Sequence, residues 1–120
     1  MKTILIVEDD TAMQKIYQTT LSKAGYQTLQ ALTTDEGAAQ AQKHPNLILL
    51  DIMLPGNKNG FDLLEALKKD EKLKNIPVII LTNLESEKKT ALEIGAVDYL
   101  IKANISLEDL VACVKKQIGA

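Results

Sequence analysis

The run Leu47-Ile48-Leu49-Leu50 leads directly into an acid, Asp51, with Pro55, Gly56 and Gly60 close behind. A carboxylate at the mouth of a core strand costs stability unless something compensates it. Asp51 is therefore a cap, a metal ligand or a nucleophile. The same placement recurs along the chain. Glu8, Asp9 and Asp10 follow the run Ile4–Val7, Thr82 closes Val78–Leu81, and Lys102 closes Asp98–Ile101. Singly, each has a plain structural explanation. An acid after a strand often caps the next helix, a role that suits Asp10 or Thr11. Capping or turn-making explains Asp51 equally well. Thr82 alone is a β-former, and Lys102 alone is a solvated lysine.

The elements that must position these residues alternate. Ile4–Val7 is a short β-branched run of the kind buried on both faces. Met13, Ile16, Tyr17, Leu21 and Ala24 then recur at helical spacing, with Gly25 as the stop. Residues 26–32 alternate as a strand near a sheet edge does, and Thr33 with Glu36 forms a capping box for an Ala-rich helix. Leu47–Asp51 is a third strand, and Phe61, Leu64 and Leu67 mark a third helix. Pro77 opens a fourth strand ending at Thr82, a short helix stops at Gly95, and Asp98–Lys102 is the fifth strand. Ser106 with Asp109 makes a second capping box, followed by a face of Leu107, Leu110, Val111, Val114 and Ile118. Five such repeats predict an α/β fold whose parallel sheet is covered on both sides by right-handed crossovers.

In a sheet of that kind, ligands bind outside the carboxyl ends of the strands. The strand-end residues would then converge on one rim, and convergence weakens the single-residue explanations. Clustered carboxylates repel, and a hard divalent cation offsets that repulsion. Mg²⁺ takes one or two protein carboxylates and completes its shell with waters and phosphate oxygens. A carboxylate beside Mg²⁺, with a lysine and a hydroxyl to meet phosphoryl oxygens, is the apparatus for forming an aspartyl phosphate. Positioning and charge neutralisation supply most of the catalysis in such a transfer.

The segments ILIVEDD, LILLDIMLP, PVIILT and GAVDYLIK occur in that order across essentially the whole chain. With them the sequence resembles the receiver domain of bacterial two-component response regulators. The resemblance implies a flavodoxin-like (βα)5 fold with strand order 2-1-3-4-5, a single receiver domain over residues 1–120 and no effector domain. It implies that Asp51 takes a phosphoryl group from a phosphohistidine on a sensor histidine kinase or phosphotransfer protein. Glu8 and Asp9 would be the acidic pair, with Asp10 outside it. Mg²⁺ would be held by Asp9, by Glu8 through a water, by Asp51 and by the backbone carbonyl of Met53. Lys102 and Thr82 would each meet a phosphoryl oxygen. Tyr99, otherwise an ordinary strand aromatic, would turn inward as Thr82 moves, changing the face of the fourth helix, fifth strand and fifth helix. The output would be a protein contact or onward relay, without turnover as an enzyme.

Three positions depart from the family pattern. Residues 55–60, PGNKNG, make that loop one residue longer than usual, so it should bulge. Asn83 stands after Thr82 in place of a small residue, where its amide could screen a phosphoryl group. Ala103 replaces the usual proline after Lys102. The family's Lys–Pro bond is typically cis, and a cis bond to alanine costs ~3–4 kcal/mol, so the Lys102–Ala103 bond is expected to be trans.

Two other functions compete. A haloacid-dehalogenase-type phosphatase also uses a strand-end aspartate, but favours a second aspartate two positions on, where this chain has Met53. A flavin-binding electron carrier shares the topology, but the Ser/Thr/Gly loop that cradles phosphate is missing after the first strand. The net charge of −2 gives these residues no electrostatic footprint for nucleic acid or anionic membrane. No apolar run approaches the ~20 residues of a membrane span, and the early one is too short for a signal peptide, so a cytoplasmic protein is expected. The lone Cys113 allows no intrachain disulfide and reads as a packed thiol. His44, the only histidine, cannot by itself make a zinc site.

Overall fold

Aliphatic runs without a polar side chain become strands when both of their faces are covered, and three central strands here meet that condition. In the computed structural model, which describes residues 1–54, 56 and 59–120, these are β1 (Thr3–Val7), β3 (Leu47–Leu50) and β4 (Val78–Thr82). Every residue of β3 and β4 is buried. Flanking them are β2 (Gln27–Ala31) and β5 (Asp98–Ile101). All neighbours pair in parallel, and the order is β2-β1-β3-β4-β5. The alternating β2 lies at an edge, as its pattern predicts.

Strand side chains alternate between faces, so the sheet divides the core in two. Leu5, Val7, Ile48, Leu50, Val78 and Ile80 pack on one side. They meet α2 (Thr34–Ala41), α3 (Gly60–Lys69) and α4 (Lys88–Ile94) through residues such as Ala41, Leu64 and Ala91. Ile4, Ile6, Leu47, Leu49, Ile79 and Leu81 pack on the other. There they meet α1 (Thr11–Lys23) and α5 (Leu107–Ile118) through Tyr17, Leu21, Leu110 and Val114. Fully burying one such aliphatic side chain stabilises by roughly 1.5–3 kcal/mol.

The helices start where side-chain oxygens can take the orphan N–H groups of a first turn. Asp10 caps α1, accepting from Ala12 N at 2.9 Å and Met13 N at 3.2 Å. Ser106 and Asp109 form a reciprocal box at α5. Thr33 accepts from Glu36 N at 3.1 Å, but the Glu36 carboxylate reaches past it to Leu32 N, so the box at α2 is only half made. A full box that the sequence reading overlooked opens α3, between Asn59 and Asp62. Gly25 follows α1 at φ +100°, a left-handed conformation suited to glycine.

Two expected core positions are on the surface. Ile16 and Leu107 are each 41% exposed. The inward face of α1 instead contains Gln14, which is 2% exposed, one turn from Tyr17. A polar residue on that face was not legible as buried, because its amide nitrogen finds its acceptors, the carbonyls of Ile6, Glu8 and Ala31, only once the sheet has formed, and its Oε1 is buried with no partner among the described residues. Pro55, Asn57 and Lys58, and with them the expected bulge of the loop, lie outside the described residues. No described helix is long and apolar enough to cross a membrane.

Candidate functional site

Strand register delivers the polar residues to one rim. Val7 lies beside Leu50 and Thr82 beside Ile101. Glu8 and Asp51 therefore leave the sheet as neighbours, as do the residues after β4 and β5. The strand ends are held by backbone bonds one residue further out, from Asp51 N to Val7 O and from Glu8 N to Ala31 O, both 3.0 Å. Gln14 secures the same corner from α1. Its Nε2 donates to the carbonyls of Ile6, Glu8 and Ala31 at 3.0, 3.3 and 3.2 Å.

Gly60 brings α3 against the other side of Asp51. Its N–H donates to Ile52 O at 2.8 Å. A Cβ at this position would lie 2.3 Å from the Asp51 carbonyl oxygen and 2.5 Å from Ile52 Cα. Only a residue without a side chain permits that approach.

Glu8, Asp9 and Asp51 each present a carboxylate oxygen, and these three atoms all lie within 4.8 Å of one another. Glu8 and Asp51 are buried, 2% and 6% exposed, while Asp9 is exposed. Lys102 Nζ sits between the buried pair, donating to Glu8 Oε1 and, at 2.8 Å, to Asp51 Oδ2. The remaining oxygens accept backbone N–H groups. Glu8 Oε2 takes that of Asp10 at 3.1 Å, and Asp51 Oδ1 takes that of Met53 at 3.0 Å.

Among the described residues, three carboxylates thus face one ammonium, and the cluster carries an excess of negative charge. Burial lifts the Glu8 carboxyl above its ordinary value; Lys102 and the Asp10 N–H pull it back in part, and the charge of Asp51 adds to the rise. For Lys102, burial opposes the charge more than any other single effect. The hydrogen bonds and charges of Asp51 and Glu8 together outweigh it, and its pKa is raised to about 12. The ammonium gains from two carboxylates, whereas the more deeply buried Glu8 has one ammonium. Such a donor set, all oxygen and anionic, suits a hard divalent cation.

Thr82 is fully buried at the end of β4, and its hydroxyl accepts from Leu84 N at 3.3 Å. Tyr99 is buried, and its hydroxyl donates to the Leu84 carbonyl. Both backbone groups of Leu84 are therefore held, one by each residue. Met53 projects its side chain into solvent while its N–H holds Asp51. Asp10 stays with α1, outside the carboxylate cluster. Asn83 turns to the neighbouring loop, and its Oδ1 accepts from Ala103 N at 3.0 Å. All described peptide bonds are trans, including Lys102–Ala103. The structure thus holds Glu8, Asp51 and Lys102 in direct contact, brings an Asp9 carboxylate oxygen within 4.8 Å of those of Glu8 and Asp51, and sets Thr82 and Tyr99 on the adjoining strands. Sequence reasoning missed Gln14, whose only signal was a polar residue in register with an apolar helical face.

Known proteins match this arrangement along nearly its whole length. Residues 4–115 match the family model described as the response regulator receiver domain. The phosphate regulon transcriptional regulatory protein PhoB of Pseudomonas aeruginosa is 43% identical over 117 residues, which cover 95% of this chain and 50% of PhoB. A response regulator from Chloroflexus aurantiacus superposes with a TM-score of 0.90 at 31% identity, covering 99% of this chain and 98% of that one. The BeF3-activated N-terminal receiver domain of Klebsiella pneumoniae RstA does so with a TM-score of 0.88 at 30% identity, covering 99% and 100%. The chain spans about half the length of the curated relatives it matches. Those relatives include transcriptional regulators, so the absence of a basic footprint speaks only for these 120 residues. On its fold, its acidic rim and these matches, the chain belongs to the response regulator receiver domains, the phosphorylation-controlled signalling switches of two-component systems.

Proposed function

We propose that Asp51 is the phosphoacceptor of this receiver domain. The observation that carries the reading is the position of its carboxylate, 2.8 Å from Lys102 Nζ and within one metal-sized cluster with Glu8 and Asp9. A carboxylate oxygen of Asp51 forms a bond to phosphorus as the phosphorus–nitrogen bond of a donor phosphohistidine breaks, and the leaving imidazole takes up a proton. The donor is a sensor histidine kinase or a histidine phosphotransfer protein. Glu8, Asp9, Asp51 and the Met53 carbonyl would hold Mg²⁺, which when bound neutralises charge on the phosphoryl oxygens. Lys102 exchanges an Asp51 oxygen for a phosphoryl oxygen, where its compact ammonium acts as a point charge.

The same chemistry operates the switch. Thr82 leaves Leu84 N–H and donates its hydroxyl to a phosphoryl oxygen. Leu84 is also held by Tyr99, so the change passes through one residue to β5 and on to the α4–β5–α5 face. That is a local charge event biasing a two-state element. The altered face would bind a protein partner or support relay of the phosphoryl group.

Intact-mass measurement with acetyl phosphate tests the reading. With Mg²⁺ the protein should gain one phosphoryl group, and with EDTA none. Steady release of phosphate from phosphomonoesters, without a stoichiometric adduct, would contradict the switch and favour a turnover phosphatase.

A further inference from the structure

Lys102 has to hold its ammonium between two buried carboxylates, yet it begins a single 3-10 turn, Lys102–Asn104. The first N–H groups of such a turn lack backbone partners and need a capping oxygen. The residue in the capping position is Ile101, which has none, and no side-chain cap is made from it. The missing oxygen comes from the adjacent strand. Thr82 pairs with Ile101 in the β4–β5 register, so Asn83 emerges beside Lys102 and Ala103. Its Oδ1 accepts the Ala103 N–H at 3.0 Å. The donor is a backbone N–H, so the amide orientation is fixed by chemistry: the oxygen, not the nitrogen, faces Ala103.

We propose that Asn83 is a positioning residue for Lys102. It caps the turn after β5 from the end of β4, and so fixes the backbone from which the lysine reaches Glu8 and Asp51. The two departures from the family pattern noted at positions 83 and 103 are then halves of one device. A proline at 103 would have no N–H to give, and the Asn83 oxygen would have no partner there. The bond also ties the residue after Thr82, at the end of β4, to the turn that begins with Lys102. The two groups meant to meet one phosphoryl group are thereby held in a common frame.

This inference rests on the reading of Asp51 as phosphoacceptor, and the test separates the two. Labelling rates with acetyl phosphate at saturating Mg²⁺ are measured for the wild type, Asn83→Ala, Ala103→Pro and the double variant. Asn83 is exposed, so its truncation should leave the fold intact. One ordinary hydrogen bond corresponds to a loss of roughly 2- to 10-fold in rate for Asn83→Ala. In the Ala103→Pro background, which has no donor, Asn83→Ala should have no further effect. In parallel, the Ala103 amide proton resonance should move upfield in Asn83→Ala and return in Asn83→Asp, which keeps an acceptor in place. A general structural role would move neither this one amide nor the cycle in that pattern. Wild-type labelling rates in Asn83→Ala, or an equal loss with and without the proline, would overturn the inference while leaving the Asp51 reading intact. A wild type that takes no label on Asp51 would overturn both.

Discussion

At the scale of single residues, the site is a problem of charge balance. Lys102 serves two buried carboxylates, and Asp9 is left as the third and exposed charge. Lys102→Met should leave Glu8 and Asp51 buried without their cation and cost about 1–3 kcal/mol at neutral pH in EDTA. The pH dependence has a definite sign. The Lys102 pKa is raised to about 12 in the folded protein, above the ~10.4 of an unfolded lysine. Its stabilisation is fully present below that unfolded value and is lost as pH rises through the folded one. The stability gap between wild type and Lys102→Met, measured by urea titration, should therefore stay constant from pH 7 to about 10. A gap that closes by pH 9 would show that the ammonium is not held as described. Asp9→Asn should act in the opposite direction, since it removes a like charge that is paired with no cation among the described residues. Thermal melts in EDTA should show Tm raised by about 1–3 °C, with a weaker response to Mg²⁺. A clear loss of stability in Asp9→Asn would mean that the acid serves a structural bond instead.

At the scale of elements, the three central strands were legible because each contains four aliphatic residues in a row, which suit a buried position, and a polar residue, Glu8, Asp51 or Thr82, marks where each run stops. Caps were legible where Ser or Asp precedes an apolar pattern, as at Asp10 and Ser106. The α3 cap at Asn59 was hidden inside a loop reading, and Gln14 and Asn83 were hidden for a common reason. Each is a polar residue whose partners are backbone groups of other elements, within or just beyond the strands, and those become neighbours only once the sheet exists. The approach of α3 to the site gives an element-scale prediction. Gly60→Ala would drive a Cβ to 2.3 Å from a backbone oxygen, which cannot rotate away. It should cost about 1–3 kcal/mol or more and slow labelling of Asp51, because the strand end must shift. Gly37→Ala meets side-chain atoms only, Leu63 Cδ2 at 2.8 Å and the two Val7 methyls at 3.3 and 3.4 Å. A gain of ~0.5–1 kcal/mol in helix propensity offsets part of the cost of those contacts. Denaturant midpoints of the two variants should therefore separate clearly, and equal losses would contradict the close approach of α3.

At the scale of the whole molecule, a two-layered core holds a rim that is electrostatically incomplete. Three segments distant in sequence meet there, bringing Glu8 and Asp9, Asp51, and Lys102, and among the described residues an excess of negative charge remains after Lys102 is counted. Mg²⁺ should therefore stabilise the folded protein. For a dissociation constant on the order of 1 mM, ~10 mM Mg²⁺ should add roughly 1.4 kcal/mol by mass action, a rise of several degrees in Tm. Melts at matched ionic strength check this, and an unchanged Tm would mean that the three carboxylates do not form a cation site. The overall architecture and the membership of the acidic rim could be read from the chain because both depend on the ends of apolar runs. The way Leu84 links Thr82 to Tyr99 could not, since it depends on backbone groups of a loop without periodicity.

On the reading proposed above, one carboxylate, that of Asp51, becomes an acyl phosphate. Borohydride reduces such a mixed anhydride to an alcohol and so converts the phosphorylated aspartate to homoserine, while free carboxylates are untouched. The protein is treated with acetyl phosphate and Mg²⁺, reduced, digested and sequenced by mass spectrometry. Homoserine is expected at position 51 alone, and none in Asp51→Asn. Homoserine at Glu8 is chemically impossible, so a homoserine at Asp9 or Asp10 with position 51 unchanged would contradict that reading.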